Sequence, residues 1–186
     1  MNTFSIPAQA AVFFSVYAGL FLTTFLGIQG LHTLKASYPS LISSWEQSWG
    51  LIGFLLASGG VAHFFLTDDF SNIMPAKGTW GFWYLPGSAR FHVLWTGVAE
   101  ILLGTVLGVE TITSFLNIPS FFSAFNIWTT PLSDAAFLFF LLVVLMTPAN
   151  IYMVRLRFIS SDTPVVYDLY CSSSLMGLCF LAMALR

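Results

Sequence analysis

Charge is scarce in this sequence: of 186 residues, six are Lys or Arg and eight are Asp or Glu, 8% of the chain against roughly 25% in an ordinary soluble domain. The scarcity excludes a water-facing surface over most of the molecule. A net charge of −2 leaves no basic patch, so nucleic acid is excluded as a partner and electrostatics names no substrate. Cysteine is limited to Cys171 and Cys179. On one predicted helix they stand about 12 Å apart along its axis, beyond disulfide reach. No charge precedes Lys35. The positive segment of a signal peptide and the arginines of a transit peptide are therefore missing, and the expectation is a processed form or insertion through the first span itself. There is no Gly-rich phosphate loop, CxxC, HExxH or Gly-x-Ser-x-Gly, which argues against a self-contained NTPase, thiol oxidoreductase or hydrolase.

What the chain does have is apolar length. Hydrophobic residues make up 57% and the mean hydropathy is +0.84, the composition of an integral membrane protein. The expected fold is all-α, a single transmembrane helical domain over residues 1–186 with five spans at about 8–31, 49–66, 91–109, 135–154 and 169–185. The segment 32–48, with Lys35, Pro39 and Glu46, reads as a connection. Residues 67–90 hold Asp68, Asp69, Lys77 and two prolines and cannot cross a bilayer. Their aromatics place them in the headgroup region or over the bundle. The uncharged stretch 111–131, broken by Pro119, reads as a re-entrant or interfacial segment, with Phe115, Phe121, Phe122, Phe125 and Trp128 turned to lipid or to a partner. Lys77, Arg90, Arg155 and Arg157 fall on one side of such a bundle and Lys35 and Arg186 on the other. That favours an N-in, C-out topology. Nothing distinguishes a plastid, mitochondrial or bacterial membrane.

The third span is the most informative. Arg90 and Glu110 bracket nineteen residues, and Glu100 falls in their middle, about 15 Å from either flanking charge and so at the centre of a roughly 30 Å hydrocarbon layer. Gly97, Glu100, Gly104 and Gly108 follow at three, four and four residues and share one face. Such glycines admit a neighbouring backbone, so Glu100 faces protein rather than lipid. The second span offers a matching face of Gly53, Ala57 and Gly60, with His63 three residues on.

Three pieces stand in an order that resembles DoxX-like membrane proteins: GVAHFFLTDDFSNIMP at 60–75, GVAEILLGTVL at 97–107 and PANIYM at 148–153. The resemblance covers residues 51–185 and implies a four-helix bundle, to which this chain adds an N-terminal helix, a longer aromatic connection and the Phe-rich insertion. That family includes members associated with thiosulfate or quinone redox complexes, and related proteins act as assembly chaperones. What the resemblance implies about chemistry is correspondingly mixed.

Four polar residues invite a functional role. Glu100 is expected to be a hydrogen-bonded carboxylic acid tying helices through Thr, Ser or backbone groups, an ion pair being disfavoured by the lack of Lys or Arg at its depth. The alternative is a proton acceptor or a hydrogen-bond partner for a quinone head. His63 and His92 are expected to stabilise their own ends of consecutive spans. The alternatives are a shared haem or metal, with Asp68 and Asp69 as the only further ligands, or axial ligation of a chlorophyll magnesium. Asn150 is expected to satisfy backbone groups freed by Pro148, or else to contact a ligand. No cofactor is fixed by these residues; quinone, chlorophyll and carotenoid are the classes the aromatics would serve. The resulting expectation is a non-catalytic accessory subunit of a larger redox or photosynthetic membrane complex, embedded in lipid and contacting other membrane subunits. The alternatives are a quinone-reactive subunit of an oxidoreductase and an assembly chaperone.

Overall fold

A computed structural model describes residues 5–120 and 131–159. The span expected at 169–185, together with Phe121, Phe122, Phe125, Trp128 and both cysteines, lies outside the described residues. All regular structure among the described residues is helical: α1 Ile6–Ser37, α2 Pro39–Ser48, α3 Ile52–Phe65, α4 Thr67–Asn72, α5 Ala89–Phe115 and α6 Pro131–Ile159. Four stretches are long and apolar enough to cross a membrane, Ile6–Ser37, Pro39–Phe65, Ala89–Phe115 and Leu132–Met153.

The ends of these helices follow local chemistry. Pro39 forces the preceding Tyr38 out of helical geometry (φ −136, ψ 63), which ends α1 and lets Pro39 start α2. The segment expected as a connection at 32–48 is therefore mostly helix with a break at Tyr38. It carries on through a 3-10 turn at Trp49–Leu51 into α3. α5 starts where Ser88 accepts a hydrogen bond from the Phe91 amide at 3.1 Å. It runs on to Phe115, past the expected end at residue 109, and leaves the Phe115 side chain 72% exposed. Likewise α6 continues through Arg155 and Arg157 to Ile159 rather than ending at Val154.

α3 and α5 run antiparallel along a glycine seam. Gly53 sits opposite Gly104, and Gly60 opposite Gly97, so the same seven-residue step is taken in opposite directions on the two helices. A Cβ on Gly60 would lie 2.6 Å from the Gly97 carbonyl and 2.9 Å from Glu100 Cβ. One on Gly53 would strike the Gly104 carbonyl and come 2.7 Å from the Gly108 amide. Gly108 itself leaves room for the Phe54 ring, 2.7 Å from where its Cβ would be. Lipid tails are as apolar as the helices, so burial alone does not hold such a pair together. Close backbone packing does. On the other side of α5, Val106 and Leu107 pack with Ala135, Ala136, Phe139, Phe140, Leu142 and Val143 of α6.

α1 is held more sparingly. Only 17% of its spanning window is buried, against 44% for α5 and 50% for α6. Its inward residues Phe13, Leu20 and Thr24 lie on one stripe with Tyr17. Two contacts fix it. Phe13 enters an aromatic cluster with Trp80, Phe82 and Trp83 from the 73–88 connection, at centroid distances of 4.7, 5.2 and 6.3 Å. In that connection the chain turns at Gly78 and Gly81, both with positive φ, and Trp80 between them is held at φ 58. The left-handed backbone costs a non-glycine residue roughly 1–2 kcal/mol, and burial of the indole to 4% exposure in the cluster offsets it.

The second contact is a hydrogen bond. Pro148 lies inside α6 and has no N–H, so the carbonyl four residues earlier, Val144, loses its helical donor. Tyr17 supplies one: its hydroxyl donates to Val144 O at 2.9 Å. Tyr17→Phe is expected to destabilise the protein by about 1 kcal/mol, read as faster hydrogen exchange over α1. In a Pro148→Ala background, where the helix regains its own N–H, the same substitution is expected to cost nothing, and equal effects in both backgrounds would disprove the link. For the seam, Gly60→Val and Gly104→Val should lower thermal stability in detergent by at least about 1–3 kcal/mol each. Gly27→Ala, where nothing lies within 4 Å, should be neutral or mildly stabilising. A tolerated Gly104→Val would rule out the packing described.

Candidate functional site

The glycine seam ends in polar residues. At its top the absent side chain of Gly97 makes space for His63, whose Cβ lies 2.7 Å from where a Gly97 Cβ would stand. His63 is 3% exposed. Its Nδ1 is 2.8 Å from the Val93 carbonyl of α5, and because a carbonyl only accepts, Nδ1 carries the proton. Thr96 Oγ1 lies 3.3 Å from the same nitrogen and directs its own proton to the carbonyls of His92 and Val93, at 2.8 and 2.9 Å. Below the ring, Thr67 donates to the His63 carbonyl at 2.7 Å, and the Phe70 ring rests 4.4 Å from the imidazole. The histidine is thus gripped by α3, α4 and α5 together.

With Nδ1 protonated, Nε2 offers a lone pair, and it faces Glu100 Oε2 at 3.6 Å. That distance is an electrostatic contact just outside hydrogen-bond range. Two states are chemically equivalent in proton count, a carboxylic acid facing a neutral imidazole or a carboxylate facing an imidazolium. The geometry lets the two groups share one proton inside the bundle. This changes the expected environment of Glu100. Its polar neighbour is His63 rather than a Thr, Ser or backbone group. The antiparallel register sets this, because it brings the C-terminal end of α3 beside the N-terminal half of α5.

His92 has a different task. Its Nε2 donates to the Pro86 carbonyl at 2.7 Å and its Nδ1 accepts from Trp95 Nε1 at 3.0 Å, so both ring nitrogens are engaged in pinning the connection to α5. Neither a bis-His haem nor an axial magnesium ligand is available from such a ring. Asp68 points outward, paired with Arg90 at 3.8 Å where both side chains are largely exposed, a contact of little energetic weight. Among the described residues no group of three His, Cys, Asp or Glu is placed to hold a metal ion.

His63 and His92 nevertheless line one recess, bounded by the aromatic connection, α5 and the proline turn of α6. Its free volume is about 60 Å³, several times the roughly 10–15 Å³ that a single water requires. Asn150 lies on its wall, 8% exposed. Its carboxamide does not satisfy the backbone freed by Pro148, as expected from sequence, because Tyr17 already does. Trp83 also lines the recess, and sequence reasoning attached no role to it. Its indole Nε1 is buried and finds no acceptor.

Replacing His63 by Leu removes the tie to Val93 and leaves the Glu100 carboxyl among apolar groups. We expect this to cost about 1–3 kcal/mol of stability, measured as thermal unfolding in detergent. His63→Asn, whose side-chain N–H can approach the Nδ1 position, should recover part of the loss, and Glu100→Gln should be tolerated. Equal losses in His63→Leu and His63→Asn would refute the proposed role of Nδ1.

Comparison of the chain with protein-family models, with curated proteins and with solved structures finds no match.

Proposed function

We propose that this chain is a DoxX-like, membrane-embedded accessory subunit of a larger membrane complex, contributing structure rather than catalysis. The observation that carries the reading is the loose attachment of α1. A helix of 32 residues, about 48 Å long, is fastened mainly by one stripe, while Phe21, Leu22, Phe25 and Leu26 point outward. Among the described residues Gly19, Gly27 and Gly30 have no neighbour within 4 Å. Glycine weakens a helix by roughly 1 kcal/mol relative to alanine, and in a membrane its usual return is close approach of another helix. The occupant of this face is accordingly a transmembrane helix of another subunit. Redox chemistry in that complex is what the family resemblance adds.

A second reading, a quinone-reactive subunit in which Glu100 and His63 frame the quinone head, draws support from the 3.6 Å approach of those two side chains. For the first reading, gentle extraction from the native membrane should yield the chain in an assembly several times its own 20.5 kDa. Gly27→Leu combined with Gly30→Leu should release it without unfolding the bundle. Recovery of the unmodified chain as a lone, folded protein would overturn the reading.

A further inference from the structure

We infer that the recess between the aromatic connection and α6 is a binding site for the carbonyl head of an uncharged, lipid-soluble molecule, held by the indole N–H of Trp83 and the carboxamide of Asn150. The inference goes beyond the accessory role and does not depend on it.

The argument starts from unmet hydrogen bonds. Trp83 Nε1 is a buried donor without an acceptor, a state that costs about 1–3 kcal/mol. An indole nitrogen donates and cannot accept, so only an acceptor can relieve it. Asn150 is buried to 8% exposure, and its carboxamide is able both to donate and to accept. Both residues line the same recess. A buried donor without an acceptor, on the same cavity wall as a carboxamide, is the kind of exception that a bound group resolves.

The rest of the lining sets the class of that group. Among the described residues no Lys, Arg, Asp or Glu is part of the wall, and its two histidines are engaged with Val93, Pro86 and Trp95, so the wall offers no fixed counter-charge for an anion or a cation. Phe70, Trp95, Met74 and Met146 supply flat and polarisable apolar surface. Leu85 and Leu145 also belong to the lining, and at 40% and 65% exposure they form its outer edge. Leu145 lies on a helix long and apolar enough to span a membrane, so the entrance opens on a side that lipid would cover. An uncharged apolar body with a carbonyl oxygen at its head meets all of these conditions. Two sources have that chemistry, a free lipid-soluble ketone or quinone and the ester carbonyl of a bilayer lipid.

The indole N–H signals of the six tryptophans give a direct readout. The full-length protein is labelled with 15N-tryptophan in bicelles of ether-linked lipid, which lack ester carbonyls, and the Trp83 signal is assigned with Trp83→Phe. Titration with duroquinone should move that signal downfield and saturate, whereas durene, the same methylated ring without carbonyls, should not move it. Asn150→Leu should weaken the duroquinone response about tenfold. Exchange into ester-linked lipid distinguishes the sources: a shift before any addition, which duroquinone cannot displace, assigns the site to lipid esters. An unshifted spectrum leaves it to the free compound. A Trp83 signal that ignores duroquinone and ester lipid alike, or that responds equally to durene, overturns the inference.

Discussion

Where Gly53 meets Gly104 and Gly60 meets Gly97, two helix backbones come closer than any side chain would allow. In a bilayer there is little hydrophobic gain from bringing two apolar helices together, so this approach has to be bought with shape. The polar cluster around His63 depends on it. The seam fixes the register of α3 on α5, the register sets His63 against Val93, Thr96 and Glu100, and α4 then closes over the histidine through Thr67 and Phe70. A shift of one helical turn would take Glu100 away from His63 and leave its carboxyl group among apolar side chains, which is expensive.

The bundle illustrates how a membrane interior keeps account of its hydrogen bonds. Hydroxyls fold back onto carbonyls of their own helix, as Thr24, Thr111 and Thr147 do at 2.7–2.8 Å. One carbonyl freed by a proline is met by a tyrosine from another helix. Against that background of satisfied groups, Trp83 stands out, and it shares its recess with the carboxamide of Asn150. A buried donor beside a second polar side chain on the same wall defines a place with a chemical preference.

Much of this was legible in the sequence, and the misses have physical causes. The four described spans could be read from apolar length, and the glycine face of α5 from the spacing of Gly97, Gly104 and Gly108, because both properties are local. The partner of Glu100 could not, since it depends on the antiparallel register of two helices separated by a long connection. Helix α2 was hidden by Pro39, which breaks the chain at Tyr38 yet starts a new helix. The role given to Asn150 failed for an instructive reason: Pro148 does free a carbonyl, but the donor comes from residue 17. The sequence contained a signal for this, a spanning-helix proline whose partner four residues earlier must look elsewhere. Trp83 gave no signal at all, since one indole in an aromatic loop resembles the next.

The bond from Tyr17 to Val144 joins residues 127 positions apart. α1 is the first of these helices to leave the ribosome, and at roughly 5–20 residues per second its acceptor follows only after about 6–25 s. During that interval Tyr17 must satisfy its hydroxyl with lipid headgroups, water or a helper protein, and Phe13 has no aromatic cluster to enter until the connection around Trp80 has been made. The α3–α5 seam needs neither contact to form, and the last tie of α1 to the bundle waits until the proline of α6 presents it with a vacant carbonyl.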